Sequence, residues 1–330
     1  MIAEPAVADI MQVIDAFWRG SLGSSSAFFS GTLVRFIPLA IIGVGLSLAF
    51  RAGVFNLGGE GQFLLGAIAA TLVGLSGTNL GLASIAAALV AASVAGAAWA
   101  AIAALLRWRF GVLEVLSTIM LNFIAANLVA YLVRGPLQEP LGIYPQTDPI
   151  ATAARLPQLW ASTRLHAGVI IAIVIAIAAW WVLSRTADGF RVRAVGASAT
   201  AARVSGGVNV ERVAFGAFVA SGALAGLAGG IEVTGVTYAL YENLSPGYGF
   251  SAIAVAILAR LRPVWVLGAA LLFATLETGA LGMQRDAGVP SVVALALEAV
   301  IILAVIGIAG GFTSVPWRAW RMRTAHQGVA

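Results

Sequence analysis

Nine stretches of this sequence stay apolar over lengths that match the thickness of a lipid bilayer, at approximately 33–50, 54–75, 80–106, 113–133, 167–184, 214–235, 247–260, 264–283 and 291–310. A helix that is apolar on every side has no face to offer water. In lipid, each backbone amide and carbonyl must find its partner inside the protein, so runs of this kind specify membrane-spanning helices. Charge agrees, since only 10% of residues are charged against about 25% in soluble domains. The expected fold is all-α, a polytopic membrane helix bundle of about nine spans forming one transmembrane domain over residues 1–330. The seventh run is short and follows Ser245-Pro246-Gly247, so a broken or re-entrant segment is expected there.

Arginine placement orients the bundle. With the C-terminus in the cytoplasm and the spans alternating, 13 of the 19 cationic side chains fall on the cytoplasmic side and 6 on the outer side, as the positive-inside rule requires. The opposite orientation inverts the ratio. Nine spans then leave residues 1–30 outside the cytoplasm, yet that segment opens with Glu4, Asp9 and Asp15 and has no cleavable signal pattern. Either the N-terminus crosses unaided or a span is missing or miscounted, and a missing first membrane helix, as a late start codon would produce, is the favoured expectation. The basic tail 311–330 is placed in the cytoplasm and the chain in a bacterial inner membrane.

Two connections stand out. The outer loop 134–166 carries prolines at 136, 140, 145, 149 and 157 and reads as irregular structure. In the cytoplasmic loop 185–213, an alanine-rich core at about 197–204 is flanked by arginines and followed by Gly206-Gly207. That pattern fits a short surface helix with a glycine stop, and a plain basic loop fits it equally. No sequence repeat is apparent. Gly222, Gly226 and Gly230 recur at four-residue spacing, which signals close helix packing rather than chemistry.

Carboxylates at bilayer depth are costly and each needs a reason. Glu60 lies in Asn56-Leu57-Gly58-Gly59-Glu60-Gly61-Gln62, where three glycines favour a locally unwound helix. It reads either as a wall of a hydrated path or as a buried hydrogen-bond hub. Glu114 sits where it can cap the fourth span, while Asn122 lies deeper and suits a pore-facing position. Glu232, Glu242 and Asn243 flank an aromatic segment from Tyr238 to Tyr248, which equally suits an interfacial belt. Glu277 lies mid-span beside Thr275 and Thr278, and functional and structural roles both remain open for it.

Other chemistries are excluded or unsupported. There is no lysine anywhere, so the chain lacks the P-loop residue that an ATPase of that kind needs. Without cysteine there is neither disulfide nor thiolate chemistry. The arginines are dispersed among short loops, which gives no nucleic-acid face. His166 and His326 have no companions at ligand spacing. No catalytic residue, metal site or cofactor is expected.

Several segments carry a family resemblance. Residues Phe50-Arg51-Ala52-Gly53-Val54-Phe55-Asn56-Leu57-Gly58-Gly59-Glu60-Gly61-Gln62 resemble a segment of ABC-importer permeases of the nucleoside and simple-sugar type, within the branched-chain amino-acid permease superfamily. Glu114 to Asn122 with Tyr131 to Pro136, Arg193-Ala194-Val195-Gly196-Ala197 with Ala201-Ala202-Arg203, Ser245 to Ala256, and Met283-Gln284 with Gly288-Val289-Pro290 are similar to further segments of that family, in the expected order. Ser198 stands where many relatives have asparagine, and the resemblance implies an additional N-terminal membrane helix, which is expected to be missing from this chain.

The resemblance implies an importer permease without its own enzymatic activity. Its partners would be a homologous second permease, a separate cytoplasmic ABC ATPase and an extracytoplasmic substrate-binding lipoprotein. Arg193, Gly196, Ala201, Ala202, Arg203 and Gly206 would receive the ATPase's motion. Substrate would pass between the two permeases along groups such as Asn56, Glu60, Gln62 and Asn122, with Glu277 a further pathway candidate. A branched-chain amino-acid permease is an alternative within the superfamily. An ion-coupled secondary transporter using Glu60 or Glu277 as a proton site is an alternative outside it.

Overall fold

The computed structural model describes residues 10–77 and 81–290, together with positions 292, 296, 299 and 300. Apart from those last positions, the ninth expected span 291–310 lies outside the described residues, as does the tail 311–330.

Helices occupy the described chain in the order α1 (Ile10–Ser21), α2 (Leu33–Arg51), α3 (Gly59–Leu75), α4 (Leu82–Phe110), α5 (Glu114–Val133), α6 (Gly168–Arg185), α7 (Ala187–Ala197), α8 (Ala199–Gly206), α9 (Val210–Glu232), α10 (Tyr248–Leu258) and α11 (Pro263–Ala287). Among the described residues, six helical stretches are long and apolar enough to cross a membrane, and α3 and α10 are shorter apolar helices. The protein is therefore a multi-pass membrane bundle. The first eight expected spans each have a helix, and the seventh is the 11-residue α10.

Helix α2, extended backwards by a π-helical turn at Ala27–Thr32, is the central post. Most of its residues are buried, and it packs on α6, α9, α10 and α11. By contrast α4, α5 and α6 turn large apolar side chains outward, among them Val90, Val94, Phe123, Ile124, Val174 and Trp181. Water would penalise such a belt and lipid does not.

The glycine spacing noted in α9 acts as read. A Cβ on Gly66 would strike the Gly226 carbonyl, one on Gly96 the Gly222 carbonyl, and one on Gly229 the Phe63 carbonyl. Glycine at these crossings lets the backbones of α3, α4 and α9 touch, which gains dispersion energy where no hydrophobic force acts between helices.

One element was not read from the sequence, and one expectation needs revision. The segment 1–30 contains α1. This helix lies against α11, with Phe17 over Gly279 and Gly20 against Gly282. It exposes Ile10, Ile14 and Trp18 along one stripe. At 12 residues it is too short to register as a span. The second expected span, 54–75, is helical only from Gly59. The unwinding falls before Glu60, in residues 52–58, and Glu60 itself sits in the first turn of α3.

The loop 134–166 is irregular apart from a 3-10 turn at Thr152–Ala154. It is nevertheless fixed, because the amides of Thr147, Ile150 and Leu156 donate to the carbonyls of Leu240, Tyr238 and Thr234. This loop and the connection after α9 cap one end of the bundle. At the other end lie the C-terminus of α2, helices α7 and α8, and the α10–α11 turn, where Arg51 Nε donates to the Leu261 carbonyl at 2.6 Å.

Candidate functional site

The unwound segment 52–58 is held by a closed set of amide hydrogen bonds. Asn56 Nδ2 donates to Gln62 Oε1 at 2.9 Å and to Ser221 Oγ at 3.1 Å. Asn56 Oδ1 accepts from the Gly58 amide and from Gln62 Nε2, both at 2.9 Å. Asn122 bridges from α5, accepting from the Gly61 amide and donating to the Leu57 carbonyl, each at 2.9 Å. All three side chains are buried. Amides suit this role because each carries donors and an acceptor, so they satisfy the backbone groups an unwound helix releases. Glu114 adds a further tie, pairing with Arg107 of α4 and accepting from the Phe55 amide at 3.4 Å.

Glu60 is oriented away from that cluster. Its Oε2 accepts from the Gly249 amide at 2.7 Å, at the start of α10, where a helix N-terminus favours a carboxylate. Ser245, which also bonds Glu60, accepts from the amides of Gly247 and Tyr248 at 3.1 Å each. The motif Ser245-Pro246-Gly247 thus starts the short helix and docks it on α3.

Beyond Tyr248 opens a cavity of about 670 Å³ at the end capped by loop 134–166, lined among others by Arg35, Arg164, Glu232, Tyr241, Tyr248 and Thr278. Arg35 and Glu277 form an ion pair at 3.5 Å beside it, and Thr32 and Thr278 share a hydrogen bond of 2.8 Å below it. Burial, and after it the charge of Glu232, hold the Tyr241 phenol above its usual pKa. Next to this region His166 is fully buried. Its Nδ1 accepts from the Gly168 amide at 3.2 Å. Desolvation, assisted by Arg164, lowers its pKa to about 4.

The sequence candidates therefore separate. Asn56, Gln62 and Asn122 come together in one buried cluster, Glu60 contacts α10, and Glu277 stands apart beside the cavity. Ser221 and Arg35 were not singled out from the sequence. Arg35 had a signal, as a cation inside an otherwise apolar run. Ser221 had none, being one small polar residue in a glycine-rich helix.

At the opposite end, Ser198 caps α8 by accepting from the Ala201 amide at 3.2 Å, and Gly207 ends it with φ +57°. The short helix and its glycine stop thus lie where the alanine-rich pattern put them. Ala201, Ala202, Arg203 and Gly206 lie on α8, with Arg203 paired to Glu211 of α9. Arg193 and Gly196 lie instead on α7, which the sequence reading did not separate out. Gly196 abuts the Arg51 carbonyl at the end of α2, just before the unwound segment.

Comparisons with known proteins fit this geometry. No solved structure matches the chain. The chain is 37% identical over 284 residues to a glucose ABC transporter permease protein, TsgB13, of Haloferax volcanii, covering 83% of this chain and 74% of that one. It is 36% identical over 293 residues to the guanosine ABC transporter permease protein NupP of Bacillus subtilis, covering 87% and 83%. The nucleoside ABC transporter permease protein NupB of Lactococcus lactis is 32% identical, with 85% and 79% covered. Residues 28–309 match the model of a family described as branched-chain amino acid transport system / permease component, and the chain belongs to that family.

Proposed function

We propose that this chain is the membrane permease subunit of an ATP-driven importer for nucleosides or simple sugars. It would work with a second permease, a cytoplasmic ABC ATPase and an extracytoplasmic binding lipoprotein, with the end bearing α7 and α8 facing the cytoplasm. The observation that carries the mechanism is the continuous chain of contacts from one end to the middle. Helix α8 presents itself at the bundle's end, α7 abuts the Arg51 carbonyl through Gly196, and Arg51 leads directly into the unwound segment pinned by Asn56. A push on α7 and α8 is thereby delivered to the start of α3 and, through Glu60, to α10. Packed elements with two arrangements transmit motion in this way.

On this reading Asn56, Gln62 and Asn122 brace the path rather than touch cargo. The cavity beside Arg35, Glu232 and Glu277 offers the donors and acceptors that a hydroxyl-rich substrate requires. Arg193, Gly196, Ala201, Ala202, Arg203 and Gly206 serve coupling. The names of the relatives favour nucleosides or sugars over branched-chain amino acids. The ion-coupled alternative gains nothing, because Glu277 is ion-paired and Glu60 hydrogen-bonded.

The test is uptake by the reconstituted complex. Labelled guanosine or glucose should accumulate in proteoliposomes only with ATP, the ATPase and the binding lipoprotein, and an uncoupler should have no effect. Accumulation by this chain alone on an ion gradient would refute the proposal.

A further inference from the structure

A second cavity, of about 770 Å³, opens between α6 and α11 at the end of the bundle that carries α7 and α8. Its rim brings together three arginines from three elements, Arg51 of α2, Arg193 of α7 and Arg262 at the start of α11. The charges of Arg193 and Arg262 both act on Arg51. Among the described residues, none of the three forms an ion pair with a carboxylate. Below the rim the wall is apolar and faces outward, with Ile177 51% exposed, Trp180 45% and Trp265 66%.

Three clustered guanidinium groups repel one another unless an anion joins them, and the planar guanidinium fork matches phosphate oxygens. The chain beyond α11 does not offer that anion readily. From residue 288 onward it holds one acid, Glu298, against Arg318, Arg321 and Arg323. The wall below the arginines excludes a simple ion as the full occupant, because it presents aliphatic and indole surface continuous with the lipid-facing side of α6 and α11. Tryptophan at a helix end marks headgroup depth, and basic pockets between helices at that depth hold anionic headgroups.

We propose that this notch is a binding site for one anionic phospholipid. Its phosphate is bound by Arg193 and Arg262, with Arg51 completing the positive rim, and one acyl chain lies along Ile177, Trp180 and Trp265. The lipid then joins α2, α7 and α11. A soluble protein's acidic surface satisfies the arginines but leaves the apolar wall unused, which is why lipid is the better occupant. The site does not depend on which substrate is carried.

The unmodified full-length chain in mild detergent provides the first measurement. Phosphatidylglycerol with brominated acyl chains should quench tryptophan fluorescence, and brominated phosphatidylcholine should do so far less. The quenching should shrink in a Trp180→Phe/Trp265→Phe variant. In the second measurement, Arg193→Gln/Arg262→Gln should weaken phosphatidylglycerol binding about tenfold or more, while Arg185→Gln, at the same end but outside the notch, should not. Equal quenching by the two lipids overturns the proposal. So does displacement of the lipid by millimolar glycerol phosphate, which would mark a plain anion site. Unchanged lipid binding with loss of ATPase co-purification in the double arginine variant would mark a protein-docking patch and overturns it as well.

Discussion

Gly196 of α7 lies directly against the main-chain carbonyl of Arg51, with no room for a methyl group between them. No other residue permits this approach, and it is what ties the end of α7 to the segment where the second span unwinds.

Gly196→Ala should therefore force α7 away from α2. An overpacked contact of this kind costs about 1–3 kcal/mol, and ATP-driven uptake should fall severalfold with ATPase association retained. Gly216→Ala is the control, because a Cβ there meets nothing within 4 Å. Uptake equal in the two variants would contradict the proposed transmission.

Asn56→Ala removes four hydrogen bonds and strands the Gly58 amide. Thermal unfolding in detergent should show a loss of about 1–3 kcal/mol, the cost of unsatisfied buried polar groups. Asn127→Ala, which deletes one exposed bond to the Phe123 carbonyl, should be close to neutral. If Asn56→Ala abolished uptake with unchanged stability, direct contact with cargo would be the better assignment.

Glu277→Gln and Arg35→Gln should each destabilise the chain by about 1–2 kcal/mol, between the values for exposed and buried pairs. The double variant should recover part of that loss, because it leaves no lone charge. Uptake assays on the double variant separate the two roles of the pair. Recovered stability with lost transport marks a path residue, and recovery of both marks a purely structural one.

His166 gives a pH signature. Its folded pKa of about 4 lies below the ordinary value of 6.5, so the unfolded chain binds the proton first. The stability this represents is complete above pH 6.5 and is lost as the pH falls towards 4, by an amount on the order of 3 kcal/mol. Unfolding midpoints measured across that window should fall with pH in the wild type. The slope should flatten in His166→Gln.

The sequence was legible wherever a single physical criterion acted along the chain. Apolar length placed the first eight spans, the weak run after Ser245-Pro246-Gly247 placed the short α10, and the glycine spacing in α9 placed the seam with α3 and α4. The alanine-rich stretch ended by Gly207 placed α8. Where two criteria competed, it was not legible. Helix α1 is too short for a span and too apolar for a loop, and only the stripe of Ile10, Ile14 and Trp18 betrays it. Helix α7 is hidden by its alternating arginines. The cavity beside Arg35 draws on residues from four separated segments, so no local pattern announces it. Asn56, Gln62 and Asn122 were named from the sequence as path groups, and their joining in one buried cluster was not legible, because it depends on the register of α5 against residues 57–61.

Backbone-to-backbone contact at Gly66, Gly96, Gly226 and Gly229 leaves no slack between α3, α4 and α9. Those three helices must shift as one rigid slab. Any rearrangement of the bundle then has to pass between that slab and its neighbours, and the hydrogen bonds that tie non-helical joints such as 52–58 and 238–247 would have to be exchanged as it does so.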